Sequence, residues 1–139
     1  MNAPKITTFV YCLGTSSMEG NNSPMNAMGI LQILTPEYIP STFSFSIIIG
    51  IKGMEISFDH KLDIIFKSKQ ENLVEAKDIV ISAEQLKDSD PGLPEEQRGV
   101  MLGLDMRNVV FKEEGNYFTE VILDGKKLGE FDIYAKAKN

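Results

Sequence analysis

The stretch Glu113-Glu114-Gly115-Asn116-Tyr117-Phe118-Thr119 restricts the fold more than any other part of the chain, because it runs directly into Val121-Ile122-Leu123 and the dipeptide Asp124-Gly125. A Gly two residues ahead of a Tyr, where a loop becomes a strand, is the pattern of a connection crossing between two sheets. Its phenol ring is buried and its hydroxyl bonds back to upstream backbone. Asp-Gly supplies the positive φ values of a type I′ turn, and Lys127 to Ala135 alternates as the returning strand. The end of the chain therefore reads as a hairpin belonging to a two-sheet sandwich.

The rest of the chain agrees. Ile6 to Leu13 alternates with apolar residues on both faces and is expected to be covered on both sides. Residues 14–25, rich in Gly, Ser and Asn, read as a long polar connection. A second strand is expected from Asn26 to Thr35, and Pro36 and Pro40 bracket a non-helical connection. The third strand has the clearest period of two: Phe43, Phe45, Ile47, Ile49 and Ile51 face the core, while Thr42, Ser44 and Ser46 face out. It should be central to its sheet. His60, Leu62, Ile64 and Phe66 alternate in the next strand, and Leu73 to Ile81 returns from it. Ser82 with Gln85 forms a capping box for one helical turn. Residues 87–98 read as loop, Val100 to Phe111 as a strand or a pair of short strands with Gly103 as a bulge or close approach, and Lys136 to Asn139 as a frayed end. This gives seven or eight strands, almost no helix, and one domain over residues 1–139.

Size and charge narrow the function. A chain of 139 residues buries roughly two-thirds of its unfolded surface and needs neither disulfide nor metal to hold a core. A net charge of −6 with only two arginines, Arg98 and Arg107, argues against nucleic-acid polymers and anionic membranes, which are held by clustered cations. The lone Cys12 has no intrachain partner and fits a reducing, cytoplasmic setting. The first twelve residues are too polar for a signal sequence, with bulky Tyr11 just before Cys12, and no apolar run approaches the length of a membrane span. On this reading the chain is intracellular and complete, with no cofactor and no metal.

From Asn108-Val109-Val110-Phe111, through Glu113-x-Gly115-x-Tyr117-x-Thr119, to Leu123-Asp124-Gly125-Lys126-x-Leu128-Gly129, the chain resembles the closing strands of immunoglobulin-like sandwiches. Thr119 stands where antibody domains place their second disulfide Cys, and the core Trp is absent. The whole chain also looks like a family of small uncharacterised bacterial or phage β-sandwich proteins. Their pattern is Met28-Gly29-Ile30 in the second strand, a Pro-bounded loop, a phenylalanine-rich third strand, and the Gly-x-Tyr and Asp-Gly-Lys ending. The resemblance implies an all-β, two-sheet immunoglobulin-like sandwich and no catalytic residues.

Candidate chemistry is sparse. His60, the single imidazole, has no Ser or Cys nucleophile near it in sequence and reads as structural. Cys12 reads as a small core residue. Asp88, Asp90, Glu95 and Glu96 form a solvated acidic loop more readily than a Ca²⁺ site. On the last two strands, Phe118 and Ile122 should point outward beside Leu128 and Tyr134, giving an apolar stripe of the kind that marks an interface, here between two copies. Two functional classes follow. One is a non-catalytic adaptor holding a protein partner through residues 14–25, residues 82–98 or the sheet face. The other sequesters a small nucleotide immune signal at a dimer seam, as some phage-encoded anti-defence proteins do. In the second, Arg98 and Arg107 would contact phosphate while Tyr11, Tyr38 or Phe118 stacks on a base.

Overall fold

The computed structural model describes residues 3–17, 24–88 and 92–139. Its elements are β1 (Lys5–Ser17), β2 (Met25–Ile30), β3 (Ile33–Leu34), β4 (Ser41–Lys52), β5 (His60–Lys67), β6 (Asn72–Ile81), α1 (Ala83–Asp88), a 3-10 turn (Glu95–Gln97), β7 (Gly99–Phe111), β8 (Gly115–Leu123) and β9 (Lys126–Ala135). They form a four-stranded sheet, β2-β1-β4-β7, and a five-stranded sheet, β3-β9-β8-β5-β6. All pairings are antiparallel except β3 with β9. The chain changes sheet five times, between β2 and β3, β3 and β4, β4 and β5, β6 and β7, and β7 and β8, which makes a two-sheet β-sandwich.

The two inner faces make one core. Phe45, Ile47, Ile49 and Ile51 of β4 are buried against Leu62, Ile64 and Phe66 of β5 and Val121 and Leu123 of β8. Each such side chain is worth about 1.5–3 kcal/mol of burial, and β4, hydrogen-bonded to a strand on each side, contributes more of them than any other strand. The Tyr117 ring packs edge-on to Phe111, with centroids 4.9 Å apart, and its hydroxyl donates to the Glu113 carbonyl at 2.6 Å. Burial pushes the Tyr117 phenol pKa up, with the Glu113 bond acting in the opposite sense. Asp124 and Gly125 have φ of 51° and 81°, the pair of positive values that a type I′ turn requires.

Three expectations are corrected, and a fourth, the capped turn after β6, holds with a longer helix. Residues 14–17 continue β1 and Met25 opens β2, so the polar connection is shorter than 14–25; residues 18–23 lie outside the described part. The strand expected over residues 26–35 is two. It breaks after Gly29 (φ 68°) and Ile30, and β3 joins the other sheet, which raises the count among the described residues to nine. Ser82 caps α1 by accepting the Gln85 N–H at 3.0 Å, and the helix runs six residues. The tail does not fray: Lys136 and Lys138 donate backbone N–H groups to the carbonyls of Leu34 and Pro36 at 3.0 and 2.7 Å.

Candidate interaction surface

The four residues expected to bind a ligand do not converge. Arg98 precedes β7 at the Lys52 end of β4, where its carbonyl accepts the Gly53 N–H at 2.9 Å. Its side chain is buried and donates to the carbonyls of Leu86, Lys87 and Leu93, each at 3.1 Å. This guanidinium holds the end of α1 and the segment after it. Tyr38 is exposed at the opposite end of β4, where its carbonyl accepts the Ser41 hydroxyl. The twelve residues of β4 put roughly 36 Å between these ends. Arg107 is exposed on β7, 3.4 Å from Asp105.

Tyr11 is corrected from a stacking platform to a core residue. A phenol has one hydrogen, and the Phe131 carbonyl, 2.8 Å away, can only accept it. The Thr119 hydroxyl, 2.7 Å away, must therefore donate to the phenolic oxygen. A strand of the first sheet is thus tied to β8 and β9 of the second, and burial drives the Tyr11 pKa well above the usual phenol value.

The other candidates are placed as follows. His60 is buried with Nε2 2.7 Å from the Glu55 carbonyl and Nδ1 2.6 Å from Asp124 Oδ2. Because a carbonyl only accepts, Nε2 is a donor there and has no lone pair for base catalysis. Asp124 also accepts the Lys61 N–H at 2.9 Å, so the pair pins the β8–β9 turn to the start of β5. Asp90 lies outside the described residues, and among those described no three His, Cys, Asp or Glu side chains gather as a metal site. A depression of about 200 Å³ lies beside the β5–β6 and β7–β8 turns, lined by Glu71, Lys112, Glu113 and Tyr117 among others. It falls below the ~300 Å³ where ligand pockets begin, and none of the four ligand candidates lines it.

The apolar stripe expected on the five-stranded sheet is broken up. Phe118 is half-buried between its cross-strand partners Lys67 and Asp132, and Ile122 between Asp63 and Lys127. Glu120, on the same face, pairs with Lys67 at 2.8 Å and Lys127 at 3.3 Å. These cations hold its carboxyl below the usual range, with the Lys67 bond the largest cause. Leu128 is the extra residue of a bulge, where Val121 pairs with Gly129 but Ile122 with Lys127, and it packs on the core. Tyr134 remains exposed, beside Ile33 of β3.

The larger apolar surface belongs to the other sheet. Its outward residues Cys12, Ser46, Ile48 and Gly50 alternate with core-facing Tyr11, Ile47 and Ile49, yet they too are buried. The covering is the chain itself. After Cys12 pairs with Ser46, β1 leaves β4 and carries β2 with it as an arm. A Cβ on Gly103 of β7 would lie 2.5 Å from Met25 Cε and 3.2 Å from Thr15 Oγ1, so the arm crosses the outer face and rests on Gly103. Burial raises the Cys12 thiol pKa. Beside exposed Ser16, Ser17 and Asn26, the arm leaves large apolar side chains bare: Leu13 at 57%, Met28 at 53% and Ile30 at 70%, with Met101 of β7 also exposed. Sequence reasoning missed these residues. The one available signal was β2 itself, Met25-Asn26-Ala27-Met28-Gly29-Ile30, an edge strand with no charge.

A two-sheet β-sandwich with an uncharged apolar arm at one edge is the class of protein these features define. The chain belongs to the Family of unknown function (DUF6941), which it matches over residues 13–136. Among solved structures it is similar to a β-glucosidase from Listeria innocua crystallised with isofagomine, at 10% identity and a TM-score of 0.45. That likeness covers 90% of this chain and 16% of the enzyme's. No curated protein matches the chain. Among the described residues no helix is long and apolar enough to cross a membrane.

Proposed function

We propose that this protein is a non-catalytic binding module that holds a protein partner along the β1–β2 arm. The observation that carries the reading is the pair Met28 and Ile30 on one face of the paired strands at a sheet edge, with Leu13 on the other face, each more than half exposed. Apolar side chains left bare together on an uncharged edge strand are recognition surface or an aggregation hazard. Such an edge accepts an added strand through main-chain bonds, with alternate side chains giving specificity. The engagement of Arg98 with three carbonyls and of Tyr11 with Thr119 leaves the nucleotide-sequestering alternative fewer groups to work with.

The test is an affinity capture from source-cell lysate with the immobilised chain and its Ile30→Lys variant. Heat-released small molecules are analysed by mass spectrometry alongside. A protein held by the parent and lost with Ile30→Lys is the expected result. A nucleotide released intact, with no protein captured, refutes the adaptor reading.

A further inference from the structure

We propose that the occupant of the β2 edge is a second copy of this chain, paired antiparallel through β2 about a two-fold axis; this rests on the binding role of the arm proposed above. Among the described residues the arm pairs on one side only, since β2 ends the four-stranded sheet. Neither Met25–Ile30 nor its register partners on β1, Cys12 to Ser17, include a charged residue. The long edges elsewhere carry charge, β6 along its length and β7 in its second half. β7 carries Asp105 and Arg107 with Asn108 at a φ of 53°, and β6 carries Glu75, Lys77 and Asp78, the last at a φ of 57°. Charges and irregular backbone on an edge oppose strand addition. A charged edge laid on β2 would also bring its ions against apolar side chains with no counter-charge to meet them. An uncharged strand is the complement β2 requires: β2 of a second copy supplies it over its whole length, whereas the uncharged half of β7, Gly99 to Leu104, would meet β2 only head to tail, in an assembly that does not close on two copies.

Two-fold symmetry makes the pairing antiparallel and closes the assembly at two copies, since each strand uses up the other's edge. The two four-stranded sheets become one of eight strands. Met28 and Ile30, which share a face through their register with Gly14 and Cys12, are covered by their counterparts. Six residues of edge make a contact at the low end of specific interfaces, below ~1,200 Å², so the dimer is weak and its constant micromolar. Both copies carry a net charge of −6. Their mutual repulsion is screened by salt, so association strengthens as ionic strength rises, the opposite of what a basic partner would show.

Sedimentation equilibrium on the full chain at low and high salt, up to roughly 500 µM, tests this. Two variants run beside the parent: Ile30→Lys and Phe118→Lys. The expected result is a monomer–dimer equilibrium that tightens with salt, weakens at least tenfold with Ile30→Lys and is unmoved by Phe118→Lys. A cysteine added at Asn26, Ala27 or Met28, in turn and beside the buried Cys12, keeps the test independent of whether Ile30→Lys folds. In an antiparallel two-fold pair one position of β2 lies about 5 Å from a partner near the axis, so at least one of the three forms a disulfide-linked dimer under mild oxidation. Asp132→Cys, on the five-stranded face, does not. A monomer at the highest concentration in high salt, or a dimer lost with Phe118→Lys and kept with Ile30→Lys, overturns the proposal. Ile30-dependent capture of a lysate protein by a monomeric chain overturns the second copy and leaves the binding role standing; a monomer with no such capture removes both.

Discussion

Replacing Tyr11 by Phe keeps the ring and deletes one oxygen from the space between the sheets. That oxygen serves two partners on the opposite layer: it donates to the Phe131 carbonyl at 2.8 Å and accepts from the Thr119 hydroxyl at 2.7 Å. Each such bond contributes about 1 kcal/mol net, and a buried group left unsatisfied costs about 1–3 kcal/mol. Thr119 is wholly buried, so the substitution should cost about 2–3 kcal/mol, a large share of a domain's ~5–15 kcal/mol. Thr119→Val removes the other hydroxyl and leaves the Phe131 bond intact, so it should cost about 1 kcal/mol. With both hydroxyls gone no donor is stranded at residue 119. The double variant should therefore lose less than the sum of the two, with a coupling of about 1 kcal/mol or more. Urea denaturation reads this directly. The midpoint for Tyr11→Phe should fall by about 1–2 M at an unchanged slope. A loss below ~0.5 kcal/mol, or strict additivity in the cycle, refutes the account of Tyr11 as a tie between sheets.

Two further outcomes are expected. Gly103→Leu puts a side chain where Met25 and Thr15 rest and should lift the arm from the sheet. Labelling of Cys12 by a thiol reagent should then rise at least tenfold over the parent, in which the thiol is wholly buried and its pKa raised; unchanged labelling in a folded variant contradicts the arm's covering role. Glu120, whose folded pKa is lowered by Lys67 and Lys127, binds a proton more readily in the unfolded chain. Its stabilisation is present above the ordinary carboxylate pKa of about 4.3 and is lost as pH falls through the lower folded value. Glu120→Gln should flatten the acid limb of a stability–pH profile, and an unaltered limb contradicts the pairing.

The strands with regular alternation were legible because their pattern is local. Phe43 to Ile51 and His60 to Phe66 name their own buried faces, Asp124-Gly125 names its own turn, and the phenol of Tyr117 bonds only four residues upstream. Ser82 and Gln85 likewise mark the start of α1 within one turn. The interaction surface was not legible in this way. Whether Phe118 and Ile122 form a stripe depends on which strands flank them, and β5 supplies Lys67 while a bulge in β9 turns Leu128 inward.

The amino-acid sequence by itself determined the class of fold, the central place of β4, the hairpin at the end of the chain and the single imidazole and single thiol, since each follows from periodicity, turn chemistry or residue counts. Only the tertiary structure decided where polar groups are satisfied and which apolar groups stay bare. Tyr11 meets Thr119 across 108 residues, Arg98 turns inward to three carbonyls, the tail is bonded to residues 34–37, and the arm closes on Gly103. Burial and hydrogen bonding are properties of what lies opposite in space. For a two-sheet fold, what lies opposite is supplied by segments far apart along the chain.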